Sequence, residues 1–251
     1  MSHSRVQIDK RKPTAGVGGV TLKKTIILIE SESLKAWMRK RWRNMMINSE
    51  KILSPIDIRL ALRGWIVERF KINQNDLLID ELGFSNKDPN STIDSSFRAD
   101  LALANGRLVG FEIKSEKDNL KRWITQMDAY LNVFDEVWLC VHGKHLESAL
   151  TITPKTIGII VVDNYESLAL VRSAKKQSSN NAYDLSGLLW RDELNDLASQ
   201  HKIQIRSRTT KNEVREILAK NLDIEIIREF VLKQLKIRKS HQTSSVSPIV
   251  S

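Results

Sequence analysis

Cysteine is almost absent from this chain, whose 251 residues include one, Cys140. A single cysteine can form neither an internal disulfide nor a cysteine-based metal cage, which excludes disulfide-stapled folds. Long apolar runs are also missing: no stretch approaches the roughly 20 residues that span a bilayer, and the polar beginning lacks the apolar segment of a signal peptide. We therefore expect a cytoplasmic protein that does not insert into membranes.

Acidic residues are the minority charge. The chain has 30 Asp and Glu against 40 Lys and Arg, a formal net charge of +10, and its 41% of hydrophobic residues suffices for a folded core. Lys and Arg that neutralise phosphates release counterions and gain affinity, so a nucleic-acid partner is favoured. Ribosome-associated, membrane-surface and merely soluble proteins can be equally basic, so individual site residues must decide.

Shifts in composition divide the chain into six parts. The polar, glycine-containing beginning and the serine-rich end have no sustained period, and the polar run near residue 180 has no apolar anchors. The predicted parts are a flexible basic arm (1–30), a basic helix (31–53), an α/β core (54–174), a linker (175–182), a C-terminal helical module (183–239) and a disordered tail (240–251).

The basic helix near the beginning permits two interpretations. Cations alternate there with large apolar side chains, an arrangement that can grip a phosphate backbone and stack on bases. In the alternative, the helix is amphipathic and turns its apolar residues inward, namely Trp37, Met38, Trp42, Met45 and Met46.

The core begins with a helix signalled by a capping serine followed by proline, Ser54 and Pro55. We expect this helix to reach about Phe70 and to bury Ile56, Leu60, Ile66 and Val67, with Trp65 nearby. Strands are predicted at 77–82, 98–104, 108–114, 136–141 and 156–162, and helices at 118–134 and 144–150. This alternation predicts an α/β fold with a mixed β-sheet flanked by helices.

The C-terminal helical module is predicted to contain helices at 185–198, 211–222 and 224–235, the second capped by Thr209 or Thr210. Basic residues cluster around them, which suggests that the module helps to hold nucleic acid or a partner; a solvated basic face is the alternative. Truncation after Asn180 is then expected to weaken DNA binding and its salt dependence. The cations are Lys202, Arg206, Arg208, Lys211, Arg215, Lys233, Lys236, Arg238 and Lys239.

Candidate catalytic residues lie on the two strands around Asn105 and Gly106. Strand side chains alternate between faces, so Glu112 and Lys114 project together, away from the core-packed Phe111 and Ile113. Asp100 on the preceding strand can join them. Two carboxylates are hard ligands for Mg²⁺ or Mn²⁺, and Lys114 can orient water or neutralise a phosphate, which suits phosphodiester cleavage.

These residues resemble the PD-(D/E)XK nuclease superfamily over about 54–163, with Asp100, Glu112 and Lys114 at its D and E-x-K positions and Ala99 in place of the proline. Gln126 and Tyr130 match a Q-x-x-x-Y motif that several branches carry on the next helix. The resemblance is closest to an uncharacterised bacterial group with R-x-D and E-I-K-S motifs. It implies a restriction-endonuclease-like fold and a metal-dependent nuclease, acting on DNA more than RNA.

The resemblance also implies the metal ligands: Asp100, Glu112, the backbone carbonyl of Ile113 and an upstream acid, for which Glu81 is preferred over Glu68. Because D…E-x-K is a short pattern, two other functions stay open. The chain could keep the fold and bind nucleic acid without cleaving it, or act as an adaptor through its helical module. The oligomeric state is also open, a homodimer included.

The turn between the two strands decides whether this site can exist. With a two-residue Asn105-Gly106 loop, Asp100 would pair with Phe111 and point away from Glu112. A three-residue turn over 104–106, with Gly106 left-handed, would instead place Asp100 opposite Gly110 and diagonal to Glu112. We expect the second arrangement, because it puts the two acids on one face.

Overall fold

The computed structural model describes residues 27–28, 52–87, 93–177 and 180–244. The predicted basic helix at 31–53, apart from its last two residues, and most of the arm at 1–30 therefore lie outside the described residues, as does the tail from residue 245. Ile27–Leu28, inside the predicted arm, forms a short strand instead, and the last helix continues to Ser244, five residues into the predicted disordered tail.

Within the described residues, seven strands form one mixed sheet in the order β1-β7-β6-β5-β4-β3-β2. The strands β4, β5 and β6 are mutually parallel, whereas β2–β3, β3–β4 and β6–β7 pair antiparallel, and the two-residue β1 extends the sheet in parallel at β7. The strands are β1 (Ile27–Leu28), β2 (Leu77–Asn86), β3 (Ser95–Ala104), β4 (Leu108–Lys114), β5 (Glu136–His142), β6 (Gly158–Val162) and β7 (Leu168–Arg172).

Seven α-helices flank this sheet within the described residues, and a short 3₁₀ turn (Gly143–His145) follows β5. They are α1 (Pro55–Phe70), α2 (Lys121–Val133), α3 (Leu146–Ile152), α4 (Ala182–Ser186), α5 (Arg191–Gln200), α6 (Lys211–Asn221) and α7 (Ile224–Ser244). The predicted fold class, an α/β protein with a helix-flanked mixed sheet and helices at the C-terminus, is confirmed. No helix among the described residues is long and apolar enough to cross a membrane.

The first helix begins as the sequence predicts, but it buries a different face. Ser54 forms a capping box with Asp57, its side chain accepting from Asp57 N while Ser54 N donates to Asp57 Oδ2. Ile56, Leu60 and Val67, predicted to be buried, are exposed. Apolar residues occur on both sides of this helix, so spacing alone could not choose the face that meets the sheet. The buried set is Ile58, Ala61, Leu62, Trp65 and Ile66.

Two clusters of buried residues cover the two faces of the sheet. α1 packs on one face, against alternate residues of β3 to β7. α2 and the C-terminal helices share the cluster on the other face, to which Leu185, Leu194, Val214 and Ile227 contribute. The predicted linker also lies against the core, since Lys175 N donates to Thr156 O at 2.8 Å. The C-terminal helices therefore pack continuously with the sheet.

Two elements differ from the sequence prediction. Strand β7 was not predicted, because a short buried apolar run carries no periodicity that separates strand from helix. The single helix predicted at 185–198 is two helices, α4 and α5, which meet at a turn over 187–190. Trp190 begins the second, its backbone N donating to Glu193 Oε2 at 2.6 Å.

Candidate functional site

The hairpin between β3 and β4 has a register that neither sequence alternative predicted. Leu101 pairs with Phe111 and Ala104 with Leu108, so the loop is the three-residue Asn105-Gly106-Arg107. Gly106 has φ of +91°, the left-handed backbone conformation expected for it. The loop has the odd length that was predicted, but it starts one residue later.

Continued by one pair, this register places Asp100 directly opposite Glu112 rather than opposite Gly110. Directly opposed residues share a face, so both carboxylates project to the same side of the sheet. The backbone ladder ends at Leu101 and Phe111, and Ile113 N donates instead to Asp100 Oδ2 at 2.7 Å. Because N–H and C=O of one strand residue face the same neighbour, the Ile113 carbonyl also points to the Asp100 side.

Asp100, Glu112, Ile113 and Lys114 line one open cavity of about 640 Å³. Gln126 of α2 lines it as well, whereas Tyr130 lies behind the wall and is fully buried. The tertiary structure thus brings together the predicted catalytic set from two strands and one helix. The other lining residues are Pro55, Arg59, Gly83, Ser96, Phe97, Arg98, Asp118, Arg122 and Thr125.

Both oxygens of Glu112 have protein partners. Lys114 Nζ donates to Oε1 at 2.5 Å, and Tyr130 OH donates to Oε2 at 2.5 Å. Lys114 also contacts Gln126 Oε1 at 3.4 Å. Glu112 and Lys114 are 4% and 7% exposed, so this ion pair is largely removed from water and depends on its hydrogen bonds. Gln126 and Tyr130 therefore position Lys114 and Glu112.

The electrostatic environment of Asp100 disfavours its charge. Burial, and next the neighbouring Glu112 carboxylate, raise the pKa of Asp100 to about 6, although the Ile113 N–H and the Lys114 and Arg59 charges act in the opposite direction. Burial and the Glu112 charge also raise the pKa of Tyr130 well above its ordinary value. Tyr130 therefore remains a hydrogen-bond donor at neutral pH.

The predicted third acid, Glu81, has basic partners. It pairs with Arg59 of α1 and with Arg98, whose Nε lies 2.5 Å from Glu81 Oε2. Arg59 Nη2 is also 3.7 Å from Asp100 Oδ1, so this guanidinium stands between the two acids. Glu81 and Asp100 lie between the β2–β3 pairs Asp80–Leu101 and Leu82–Ala99, and Glu81 has φ of +55°, an unusual backbone for a strand residue. The alternative acid, Glu68, is exposed on α1 and does not line the cavity.

Sequence reasoning did not identify three charged residues of the cavity: Arg59, Asp118 and Arg122. The helical spacing could have identified Arg122, because it lies four residues before Gln126 and therefore on the same side of α2. Arg59 lies one turn after Pro55, but its approach to Asp100 depends on how α1 docks, which no local pattern indicates. His142, at the end of β5, does not line the cavity; its Nε2 lies 2.5 Å from Asn164 Oδ1.

The donor set fits a divalent metal ion through two carboxylates. Asp100 and Glu112 supply the hard oxygens that Mg²⁺ or Mn²⁺ prefers, and Mg²⁺ commonly binds through one or two carboxylates while keeping several waters. Burial, and then repulsion from Glu112, raise the pKa of Asp100, and a bound cation would favour the charged form of this carboxyl group. Among the described residues, no three His, Cys, Asp or Glu side chains are grouped closely enough to hold a metal, so Glu81 is not joined to the pair.

Comparisons with known proteins identify a phage protein family. The family model described as bacteriophage P4 protein cII matches residues 91–248, which include Asp100, Glu112, Lys114, Gln126 and Tyr130 but not α1. Protein cII of Enterobacteria phage P4 is 29% identical over 198 residues, 78% of this chain and 71% of that protein. A solved protein of unknown function from Silicibacter pomeroyi is 16% identical, covers 57% of this chain and 88% of its own, and has a TM-score of 0.31, too low to indicate a shared fold. The chain therefore belongs to the bacteriophage P4 protein cII family.

Proposed function

We propose that this protein is a metal-dependent nuclease of the PD-(D/E)XK type, which hydrolyses phosphodiester bonds in DNA more than in RNA. The observation that carries the proposal is the placement of Asp100 opposite Glu112, with Lys114, at one cavity. The preference for DNA follows from the resemblance of the D, E-x-K and Q-x-x-x-Y positions. A cytoplasmic location belongs to the same proposal.

Asp100, Glu112 and the Ile113 carbonyl would hold Mg²⁺ or Mn²⁺. Such an ion, when bound, supplies Lewis-acid stabilisation of the charge that develops on the phosphate. Lys114 is close enough to Glu112 to orient a water molecule or bind a phosphate oxygen beside it. Tyr130 fixes the Glu112 carboxylate, and Gln126 limits the positions open to the Lys114 ammonium.

Arg59 and Arg98 add positive charge at the mouth of the cavity, where a phosphodiester would enter. The Arg59 guanidinium lines the cavity, where its Nη2 pairs with Glu81 and lies 3.7 Å from Asp100 Oδ1. Arginine is suited to phosphate because its planar donors match phosphate oxygens. We assign both arginines to substrate binding.

The test is cleavage by purified protein of linear, circular, single-stranded and branched DNA, and of RNA, with Mg²⁺ or Mn²⁺. We expect Asp100→Asn and Lys114→Gln each to lower the rate about hundredfold or more, because each removes a group acting at the phosphate. EDTA should abolish cleavage. Lys155→Gln, at an exposed site away from the cavity, is the control for contaminating nuclease. Cleavage that survives both site substitutions would reject the proposal.

A second candidate is a nucleic-acid-binding protein that keeps this fold and does not cleave. It is favoured by the ion pairs in the cavity, because Lys114 holds Glu112 and Arg59 stands between Glu81 and Asp100. In that case Mg²⁺ would not change the melting temperature, and no substrate would be cut although nucleic acid is bound. A bound ion stabilises the native state by RT ln(1 + c/Kd), where c is its free concentration, so a melting series with increasing Mg²⁺ separates the candidates.

A further inference from the structure

The cations of the C-terminal helices have two different roles in the folded protein. Arg215 is buried: it pairs with Asp94, and its guanidinium lies 3.8 Å from the centre of the Tyr183 ring. Arg238 pairs with Glu193 and lies over the Trp190 ring at 4.3 Å. Both hold helices together, so neither is available to a ligand.

A second group of cations surrounds a cavity of about 560 Å³ between α5 and the loop that follows it. Arg191, Lys202 and Arg206 line this cavity, and no acidic side chain is among its lining residues. Lys202 and Arg206 are exposed, as is Arg208, one residue beyond the lining segment, and their side chains have no ion-pair partner among the residues that the structure describes. We call this surface the α5 cavity; it shares no residue with the cavity at Asp100.

The backbone of the α5 cavity is well held. Two residues after α5 ends at Gln200, Lys202 has the left-handed conformation, with φ of +58°, and Ile203 N donates back to Ala198 O at 2.9 Å. Thr209 N donates to Arg206 O at 3.0 Å, and Arg191 Nη1 donates to Thr209 O at 2.6 Å. The loop is thus tied to α5, and the cations are displayed on a preformed concave surface.

Two observations indicate a ligand that is anionic and also carries hydrogen-bonding groups. Asn195, on the cavity wall, has a buried Oδ1 without a hydrogen-bond partner among the described residues. No acidic side chain lines the cavity, so the positive charges of Arg191, Lys202 and Arg206 are not offset within its wall. Unpaired cations suit the phosphates of a nucleic acid, and the unpartnered Asn195 Oδ1 suits a hydrogen-bond donor on a sugar or base.

We propose that the α5 cavity is a second nucleic-acid-binding surface, which holds the phosphate backbone outside the cavity at Asp100. Lys202, Arg206 and Arg208 contact phosphates, and Asn195 contacts a sugar or base. The inference rests on the proposed function for its class of ligand, nucleic acid, but not on cleavage. In the sequence these residues belong to the same basic cluster as Arg215 and Arg238, which the structure shows in ion pairs.

The test measures binding of the full chain to a fluorescent DNA duplex, the corresponding single strand and an RNA strand, in EDTA so that cleavage does not interfere. The variant is the triple substitution Lys202→Gln, Arg206→Gln and Arg208→Gln, which removes charge and keeps side-chain length. For DNA duplex we expect the slope of log K against log salt to become shallower by about 0.9 for each lost phosphate contact. Affinity near 0.1 M salt should fall at least about tenfold.

The matched control is Arg69→Gln, Lys71→Gln and Lys155→Gln, which removes three exposed cations elsewhere. Lys71 also has a left-handed backbone, with φ of +50°, so it matches Lys202 in conformation. Equal losses in the two triple variants would mean that only net charge matters and would overturn the proposal. Unchanged binding of the nucleic acids by the α5 variant would overturn the proposal too. This is also the result expected if the cavity binds an acidic protein and not a nucleic acid.

Cleavage assays on the same variants separate this inference from the proposed function. If the α5 variant binds weakly while the protein shows no metal-dependent cleavage at all, the second surface stands and the nuclease proposal fails. If cleavage depends on Asp100 but the α5 variant binds nucleic acid like the control, the nuclease proposal stands and the second surface fails. Near-identical thermal melts of the two triple variants verify that both are folded.

Discussion

Asp100 combines three roles that sequence could only partly indicate. It is the acid of β3 for which we propose a catalytic role, the acceptor that ends the β3–β4 ladder, and the neighbour of Arg59. Its carboxyl group is only partly buried, yet both burial and Glu112 oppose its ionisation. Its protonation therefore links the candidate site to the stability of the fold.

The first prediction concerns pH and stability. Because the pKa of Asp100 is raised from 3.8 to about 6, folding favours its neutral form, and this stabilisation is complete below about pH 4 and lost as pH rises through 6. Asp100→Asn should therefore be more stable than the native protein at pH 8, by about 1–3 kcal/mol, and lose that advantage at pH 4. Urea unfolding at both pH values measures this.

A divalent ion provides the control for this prediction. Mg²⁺ should stabilise the native protein at pH 8, since it offsets the repulsion between Asp100 and Glu112, and should have less effect on Asp100→Asn. The same pH dependence in both proteins would contradict the assignment of the raised pKa to Asp100.

The second prediction concerns the hydrogen bond between Tyr130 and Glu112. Tyr130→Phe removes the hydroxyl that donates to Oε2 and leaves a buried carboxylate with one partner fewer, which should cost about 1–3 kcal/mol of unfolding free energy. Tyr165→Phe, at a ring that is 61% exposed, should change stability by less than about 0.5 kcal/mol. Urea midpoints at pH 7 compare them; equal midpoints would show that the buried hydroxyl is dispensable.

At the scale of elements, the β3–β4 hairpin decides whether the site forms. A change of one residue in its register would turn Asp100 to the opposite face from Glu112. Composition near the turn indicated a hairpin, but Asn105 and Gly106 are compatible with two- and three-residue loops. In the structure Leu101, Ala102, Leu103 and Ala104 pair with β4 across the three-residue loop, and all four side chains are buried.

The third prediction follows from the backbone at Gly106. A Cβ there would meet nothing within 4 Å, so any cost of substitution comes from its φ of +91°. Gly106→Val should destabilise the protein by about 1–3 kcal/mol and reduce cleavage without touching a ligand, because valine disfavours this conformation. Gly64→Ala is the control, since Gly64 is helical with open space around it, and alanine there should stabilise by up to about 1 kcal/mol.

The measurements for this prediction are urea unfolding and the cleavage rate of folded protein. Gly106→Asn should be milder than Gly106→Val, because asparagine tolerates the left-handed conformation better. A Gly106→Val protein as stable and active as the native one would show that the turn does not control the register.

For the whole molecule, the C-terminal helices belong to the same buried cluster as the sheet. α7 is further joined to the hairpin region through Arg228, whose Nε is 2.8 Å from Asp135 Oδ1, while Asp135 Oδ2 accepts from Leu108 N at 2.7 Å. The sequence indicated a polar boundary near Asn180, but the chain there is bonded to the core. Asn180 itself accepts from Arg228 at 3.1 Å.

The fourth prediction revises the expected effect of truncation. Ending the chain after Asn180 would remove many buried side chains, each worth about 1.5–3 kcal/mol, and the sum exceeds the roughly 5–15 kcal/mol of a typical domain. The truncated protein should therefore lose cooperative unfolding, not only DNA binding. Near-UV circular dichroism and thermal melting test this, with truncation after Ser244 as control. A cooperative melt of the shorter chain would establish an independent core.

Sequence by itself determined the features that depend on local chemistry. The cap at Ser54, most strand and helix positions, and the alternation that puts Glu112 and Lys114 on one face follow from short-range propensity and period. Tertiary structure alone decided which face of α1 is buried, that Leu168–Arg172 is a strand, and that Arg59 approaches Asp100. It also separated the buried Arg215 from the exposed Lys202. These outcomes depend on contacts between residues far apart in the chain, whose partners and burial a local pattern does not contain.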